Sequence, residues 1–364
     1  MTRHIRYIFL AVCLATVVFT LTLSSFLVAE TDSNRDAHNR DAYGEDASNR
    51  DAYNASLQSV ARLLVVGDMM LDRSVFLHTQ KAGDYTFPFQ KFFSFLKEWD
   101  LRMGNLEGPI TTSKSVANGT GGSRFTFTFS PEFVKPLREN FDFLSLANNH
   151  TTNFGKKGLD QTRQFLREGH ITFFGDPNNS IGFISTTTEK QNISFALVGY
   201  HQLIEKGLAD VVDEIERLNR IVDVVIVMPH WGHEYISTHP SAAQKKEAHA
   251  LIDAGADVIF GAHPHVIQPI EEYKEKVIFY SLGNFIFDQY FSEKTMQGLT
   301  VGMIVVKKEE NILGLTFRLH PIRINKESQP ELVEGEVRQQ ILDSLAKVSL
   351  VSEERKEQIK MGKM

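Results

Sequence analysis

The stretch Arg62-Leu63-Leu64-Val65-Val66-Gly67-Asp68-Met69-Met70-Leu71 sets the reading of the fold. Leu63–Val66 is an uninterrupted apolar run, and Gly67-Asp68 follows it at once. A continuous run of this length suits a strand covered on both faces better than one with a wet face. The same grammar repeats along the chain. Asn148-Asn149-His150 follows Phe141–Leu146, His230-Trp231-Gly232-His233-Glu234 follows Val222–Val227, His263-Pro264-His265 follows Asp257–Phe260, and Gly283-Asn284 follows Val277–Ser281. Asn105-Leu106-Glu107 comes after Leu101–Met103, and Ile193–Val198 is a further apolar run.

Helical spacing lies between the runs. Val211, Val212, Ile215, Leu218 and Val222 share one helical face, and Ser241 with Gln244 reads as a capping box whose helix passes Leu251 and Ile252 and stops at Gly255. Strands alternating with helices indicate an α/β architecture. Leu299–Val306 and Ile312–His320 read instead as a closing hairpin, with Glu310-Asn311 near its turn. From about Pro330 the chain reads as a charged helix or a frayed tail.

Open α/β sheets bind ligands beyond the carboxyl ends of their strands, and the polar residues cluster there. Each alone has a plainer reading: Asp68 as a turn cap, Asn148-Asn149 as a turn, Glu107 before Gly108-Pro109 as a solvated carboxylate. His263-x-His265 says more, because alternate residues of an extended segment face one side and can reach one centre. The only cysteine, Cys13, falls in the first apolar run. Thiolate sites and disulfides are thus excluded from the folded part, and any metal is held by nitrogen and oxygen. Such donors suit zinc, manganese, iron or magnesium.

The termini and charge bound the partners. Arg3, His4 and Arg6 precede an uncharged run from Tyr7 to Ala29, at ~1.5 Å per residue just long enough for a ~30 Å hydrocarbon core. An uncleaved signal-anchor over 1–29 is the preferred reading, with a signal peptide cleaved near Ala29, and hence secretion, as its competitor. Either way the remainder lies on the extracytoplasmic side of the cell membrane. Residues 30–60 carry the unit Asn-Arg-Asp-Ala at Asn34–Ala37, Asn39–Ala42 and Asn49–Ala52, and read as a disordered polar linker. The folded domain is expected at 61–326 and the helix or tail at 327–364. With 42% hydrophobic and 23% charged residues the chain can bury a core, and a net charge of −6 gives no footprint for nucleic acid.

In order, Gly67-Asp68-Met69-Met70-Leu71, Asn105-Leu106-Glu107-Gly108-Pro109, Ser145-Leu146-Ala147-Asn148-Asn149-His150, His230-Trp231-Gly232-His233-Glu234-Tyr235, Gly261-Ala262-His263-Pro264-His265-Val266 and Tyr280-Ser281-Leu282-Gly283-Asn284-Phe285 resemble the blocks of the CapA-type poly-γ-glutamate capsule synthesis family. That family is similar to the calcineurin-like metallophosphatases. The resemblance implies a two-sheet sandwich flanked by helices, and the apolar run ahead of it adds one N-terminal transmembrane helix. It implies Asp68 as the opening metal ligand, Glu107 in the bridging place, Asn149 and His230 as ligands, and His263 and His265 as the terminal pair. His150 takes the place of the residue that contacts phosphate or protonates a leaving group.

One position departs from the pattern. Met70 stands where an Asp-x-His motif has its histidine. On this mapping Glu107, Asn149, His230 and His263 make one good site, while Asp68, Glu107 and His265 leave a second metal weak or absent. His233 and Glu234 are candidates to compensate. The function implied is a membrane-anchored component of poly-γ-glutamate synthesis or export, working with other membrane subunits of a synthase complex on an anionic polymer. A metal-dependent phosphoesterase acting on an envelope phosphate ester, and a non-catalytic scaffold, are the alternatives.

Overall fold

The computed structural model describes residues 59–117, 124–204, 206–308 and 311–364. The apolar run at 7–29, the Asn-Arg-Asp-Ala segment and Glu310 of the expected turn lie outside them. Among the described residues, no helix is long and apolar enough to cross a membrane.

Two sheets carry the strands. The first holds β1 (Ser59–Met69), β2 (Leu101–Leu106), β3 (Phe143–Ser145) and β4 (Thr172–Phe174), with β11 (Asn284–Ile286), β12 (Gln297–Lys308), β13 (Asn311–Ile324) and β14 (Pro330–Leu332). Its path is β14-β13-β12-β1-β2-β3-β4, and β11 pairs with the end of β1. The second holds β5 (Ser185–Lys190), β6 (Ile193–His201), β7 (Val224–His230), β8 (Val258–Phe260), β9 (Ile270–Tyr273) and β10 (Lys276–Phe279), in the order β5-β6-β7-β8-β10-β9. The apolar runs form the parallel middles, β1 to β4 and β6-β7-β8-β10. The expected hairpin is β12 with β13, antiparallel from Gln297↔Arg323 to Lys308↔Asn311.

Alternation along β1 shows why both faces are apolar. Leu63 and Val65 join a central cluster with Met103, Leu197, Ile226 and Phe260, so the two sheets pack on each other. Leu64 and Val66 face outward, onto Val75 of α1 (Arg73–Ala82), Leu96 of α2 (Phe93–Leu96), Leu137 of α3 (Val134–Asn140) and Leu166 of α4 (Gly155–Glu168). Beyond the second sheet, Val211, Ile215 and Leu218 of α5 (Leu208–Leu218) and Ala248, Leu251 and Ile252 of α6 (Ala242–Asp253) cover Val198, Val225 and Ile259. The expected sandwich flanked by helices is thus observed. Each buried aliphatic side chain contributes about 1.5–3 kcal/mol.

Local signals fix the helix ends. Ser241 caps α6 by accepting from Gln244 N–H, while the Gln244 side chain accepts from Ser241 N–H. The helix closes at Ala254, and Gly255 turns away at φ 114°. Val222, expected on the α5 face, lies beyond that helix, which ends at Leu218.

The 327–364 segment, read from sequence as a helix or a tail, holds two helices. β14 pairs with β13, and α7 (Gly335–Val348) and α8 (Glu353–Lys360) follow it. Leu342, Leu345, Ala346, Ile359 and Met364 pack into the central cluster.

Candidate metal centre

The carboxyl ends of strands from both sheets meet at one place, and the closest approach there depends on a glycine. A Cβ on Gly67 would stand 1.9 Å from the Gly283 carbonyl oxygen. Without it, β1 passes β11 closely enough for Asp68 N–H to donate to that oxygen at 3.0 Å. The β1–β2 register shifts between Val65 and Asp68, an irregularity that re-aims the strand end. Asp68 is buried, with Oδ1 accepting from Asn105 Nδ2 at 2.8 Å and Oδ2 from His263 N–H at 3.1 Å. Asn105 is held in turn by Asn148, whose Nδ2 donates to Asn105 Oδ1 at 3.0 Å and to the Leu106 carbonyl at 2.9 Å. Asn148 Oδ1 accepts from His150 N–H and from the Thr151 N–H and hydroxyl. Asn105 and Asn148 therefore position the cluster and have no amide group left over for a ligand.

Four histidines surround Glu107. His230 ends β7, its Nδ1 3.2 Å from Asn105 Nδ2 and its Nε2 2.8 Å from Asn149 Oδ1. The asparagine donor on Nδ1 leaves the ring proton on Nε2, shared with Asn149. His265 places Nδ1 2.9 Å from Asn284 Oδ1 and 3.4 Å from Asp68 Oδ2, and Nε2 3.6 Å from Glu107 Oε1. His263 lies with its ring centre 4.7 Å from that of His230. His150 Nδ1 is 3.1 Å from Asn153 Oδ1, which orients Nε2 toward Glu107 Oε1 at 3.9 Å.

His263 and His265 do converge, though not by alternation along an extended segment. Both residues have positive φ, 95° and 57°, and their ring centres are 5.8 Å apart. Left-handed backbone at non-glycine residues costs energy and persists where the surroundings over-determine it. The ligand atoms of Glu107, His263 and His265 lie within 4.8 Å of one another, as do those of Asp68, Glu107 and His230. The grouping expected from sequence paired His263 with His230, whose ring centres are 4.7 Å apart, and Asp68 with His265, whose Oδ2 and Nδ1 are 3.4 Å apart. Glu107 is common to both arrangements.

The residues fit a cation by their unmet chemistry. Both Glu107 oxygens and His263 Nδ1 are buried with no hydrogen-bond partner among the described residues. Buried polar atoms are seldom left unpaired, and an anion is the costliest of them. Burial holds the Glu107 carboxyl well above the usual carboxylate range, against the pull of His265 and with the push of Asp68. Burial likewise depresses His263 to about 3 and His150 to about 4, and pushes His230 well down. At His265 burial is outweighed by Glu107 and Asp68, which together raise it to about 9. One protonated imidazole thus balances carboxylates that a divalent cation would balance better. Asn149 Oδ1 and His230 Nε2 share a proton that such a cation would displace.

Met70 offers no ligand in place of the histidine. It is buried in the outer cluster, and its sulfur accepts from Asp72 N–H at 3.1 Å. His233 is exposed and outside both ligand groups. Glu234 is exposed too, but its charge is felt at Glu107, His150 and His265, which places it at the rim. Asn284 Nδ2 is tied to the Thr295 carbonyl at 2.9 Å and to Gln289 Oε1 at 3.0 Å, so this side chain orients His265.

Sequence reasoning missed His201 and Arg73. His201 ends β6 in register with His230, donates Nδ1–H to the Pro177 carbonyl at 2.7 Å and leaves Nε2 buried without a partner among the described residues. The signal was present, a histidine two residues beyond Gly199 after an apolar run.

Comparisons with known proteins bear on this geometry. Residues 62–289 match the family described as Bacterial capsule synthesis protein PGA_cap. The chain is 32% identical over 248 residues to the capsule biosynthesis protein CapA of Bacillus anthracis, covering 62% of this chain and 60% of that protein. It is 33% identical over 246 residues to the PGA biosynthesis protein CapA of Bacillus subtilis, covering 62% of each. The matches thus span about three fifths of these relatives' lengths. Among solved structures, the calcineurin-like phosphoesterase YfkN of Bacillus subtilis aligns with 14% identity and a TM-score of 0.43, over 72% of this chain and 90% of that one. With its family blocks on strand ends that meet around Glu107, this chain belongs to the bacterial capsule synthesis protein family PGA_cap.

Proposed function

We propose that this protein is a membrane-tethered, extracytoplasmic component of poly-γ-glutamate capsule synthesis or export, and that its buried cluster holds a divalent cation that engages the anionic polymer. The observation that carries the reading is Glu107, buried among four histidines with both carboxylate oxygens unpartnered among the described residues. Asp68, Glu107, Asn149, His230, His263 and His265 would hold the ion, and three imidazoles favour zinc, manganese or iron over magnesium. When bound, the cation supplies Lewis-acid polarisation of an oxyanion. Asn105, Asn148 and Asn284 keep the ligand side chains oriented, a supporting role that metal sites require. The tether at residues 1–29 and partnership with other membrane subunits of a synthase complex belong to the same proposal.

Polymer output in capsule-forming cells tests it. Full-length His230→Ala and a variant lacking residues 1–29 are each expected to abolish surface polymer; undiminished polymer in both would overturn the reading.

A second reading, a metal-dependent phosphoesterase acting on an envelope phosphate ester, is favoured by His150. Its ring is fixed by Asn153, with Nε2 3.9 Å from Glu107. With the pKa depressed to about 4, Nε2 is an unprotonated acceptor at neutral pH, and an adjacent substrate anion would be needed to raise it into the range of a general acid. Turnover of generic phosphomonoesters and diesters by the manganese-loaded protein, abolished by His230→Ala, would favour this reading over the first.

A further inference from the structure

Arg73 belongs to none of the roles above. It opens α1 at φ 50°, a left-handed conformation that non-glycine residues adopt at a cost. The backbone is pinned there: Arg73 N–H donates to Asp72 Oδ1 at 2.7 Å, and Ser74 N–H to Asp288 Oδ2 at 3.0 Å. Asp288 also pairs with the guanidinium through Nη2. The guanidinium carbon lies 5.0 Å from the centre of the Phe127 ring and 5.6 Å from that of Phe287. Those two rings reach the cluster. Phe127 packs on His150 at 4.3 Å between ring centres, and Phe287 on His265 at 4.8 Å. Arg73 is therefore brought to the edge of the cation site by the same aromatic rings that flank its histidines, and its charge is felt at Glu107 and His150.

A purely structural arginine would be satisfied by its ion pair. This one is not: Nε is buried with no hydrogen-bond partner among the described residues. Among the described residues, Asp288 is bound at Nη2 only, which leaves further donors of the planar fork without a partner there. A guanidinium confined by two aromatic rings and an ion pair is preorganised to take two oxygens of one anion side by side.

We propose that Arg73 is a specificity-determining residue that receives an oxyanion of the ligand, a carboxylate or a phosphate, beside the cation site. The inference deepens the function proposed above and rests on it. The ligand then has one charged group directed to the cluster of Glu107, His263 and His265 and is oriented by Arg73, with Phe127 and Phe287 excluding water from the contact. A neutral ligand would leave Arg73 unmatched.

Binding of inorganic phosphate and of glutarate to the full-length protein, measured by calorimetry with manganese present, tests the proposal. Arg73→Lys keeps the charge and loses the planar fork, so affinity for at least one anion should fall about tenfold while manganese affinity stays the same. A stronger effect on phosphate points to a phosphate ester as source, and on glutarate to a carboxylate polymer. Unchanged affinity for both anions, or a wild-type protein that binds manganese but neither anion, overturns the proposal. If Arg73→Lys does not fold, the Arg73 Nε–H resonance of the wild-type protein decides: it should move on anion addition, and a resonance that does not move overturns the proposal. Failure of the wild-type protein to bind manganese counts against the function proposed above; Arg73 is then judged by that resonance with the anions alone.

Discussion

Replacing Glu107 by glutamine separates the stability of the fold from the capacity of the cluster to hold a cation. Two opposing terms act on the native carboxylate. His265 Nε2 lies 3.6 Å from Oε1, and unit charges near that separation attract by about 4 kcal/mol at an effective dielectric of ~20. Against this stand the burial of a carboxylate with both oxygens unpartnered, which costs several kcal/mol, and repulsion from Asp68. The balance is visible in the direction of the Glu107 shift, upward, so the charged form is less favourable in the folded protein than in the unfolded chain. Removing the charge should therefore leave the cation-free protein at pH 8 unchanged or stabilised by about 1–2 kcal/mol, with Asp68 still 3.4 Å from His265 to balance it. The cation response should vanish. At a ~1,000-fold excess over Kd a bound metal adds about 4 kcal/mol to the native state, and Glu107 is common to both ligand groups. Urea unfolding with manganese and with chelator, for wild type and Glu107→Gln, reads both quantities. If Glu107→Gln destabilises the chelated protein by more than about 3 kcal/mol, Glu107 is a paired structural carboxylate and the reasoning fails.

Two further outcomes follow from the same geometry. Gly67→Ala forces a Cβ to within 1.9 Å of the Gly283 carbonyl oxygen, so either β11 moves or Asp68 does; an overpacking loss of about 1–3 kcal/mol in urea unfolding is expected, and wild-type stability would refute the close approach. The pH dependence of the chelated protein has a defined sign on each side. His150 and His263 are depressed to about 4 and about 3, so their contribution is present above the ordinary histidine value near 6.5 and is lost as pH falls through the folded values, at up to about 1.4 kcal/mol per pH unit for each. His265, raised to about 9, contributes stability that is complete below 6.5 and is lost as pH rises toward 9. Stability of the chelated protein should therefore peak near pH 6.5, and a flat profile from pH 4 to 9 would contradict the assigned environments.

What could be read from the chain divides along physical lines. Strand middles announce themselves because a strand covered on both faces has no polar alternative, and Leu63 to Val66 divide between two apolar layers as the run implies. The capping box at Ser241 and Gln244 is local, so the residues specify it without help from the fold. Strand ends are set by neighbours. Phe141 closes α3, and the strand expected from it begins only at Phe143. The residues that gather at the cluster were legible because each follows an apolar run. The left-handed backbone by which His263 and His265 converge was not, since tertiary contacts impose it. Arg73 was invisible for the same reason, as its place is set by Asp288 and Phe287, distant in sequence. The C-terminal helices could not be placed, because their apolar residues are few and their partners in the central cluster are distant in sequence.

The central claim is that the buried cluster around Glu107 holds a divalent metal. Elemental analysis of the purified full-length protein, followed by calorimetric titration of the chelated form, tests it most directly. About one tightly bound equivalent of zinc, manganese or iron per chain is predicted, with a second weak or absent and the tight one lost in His263→Ala. A folded protein that carries no metal and takes up none on titration would contradict the account.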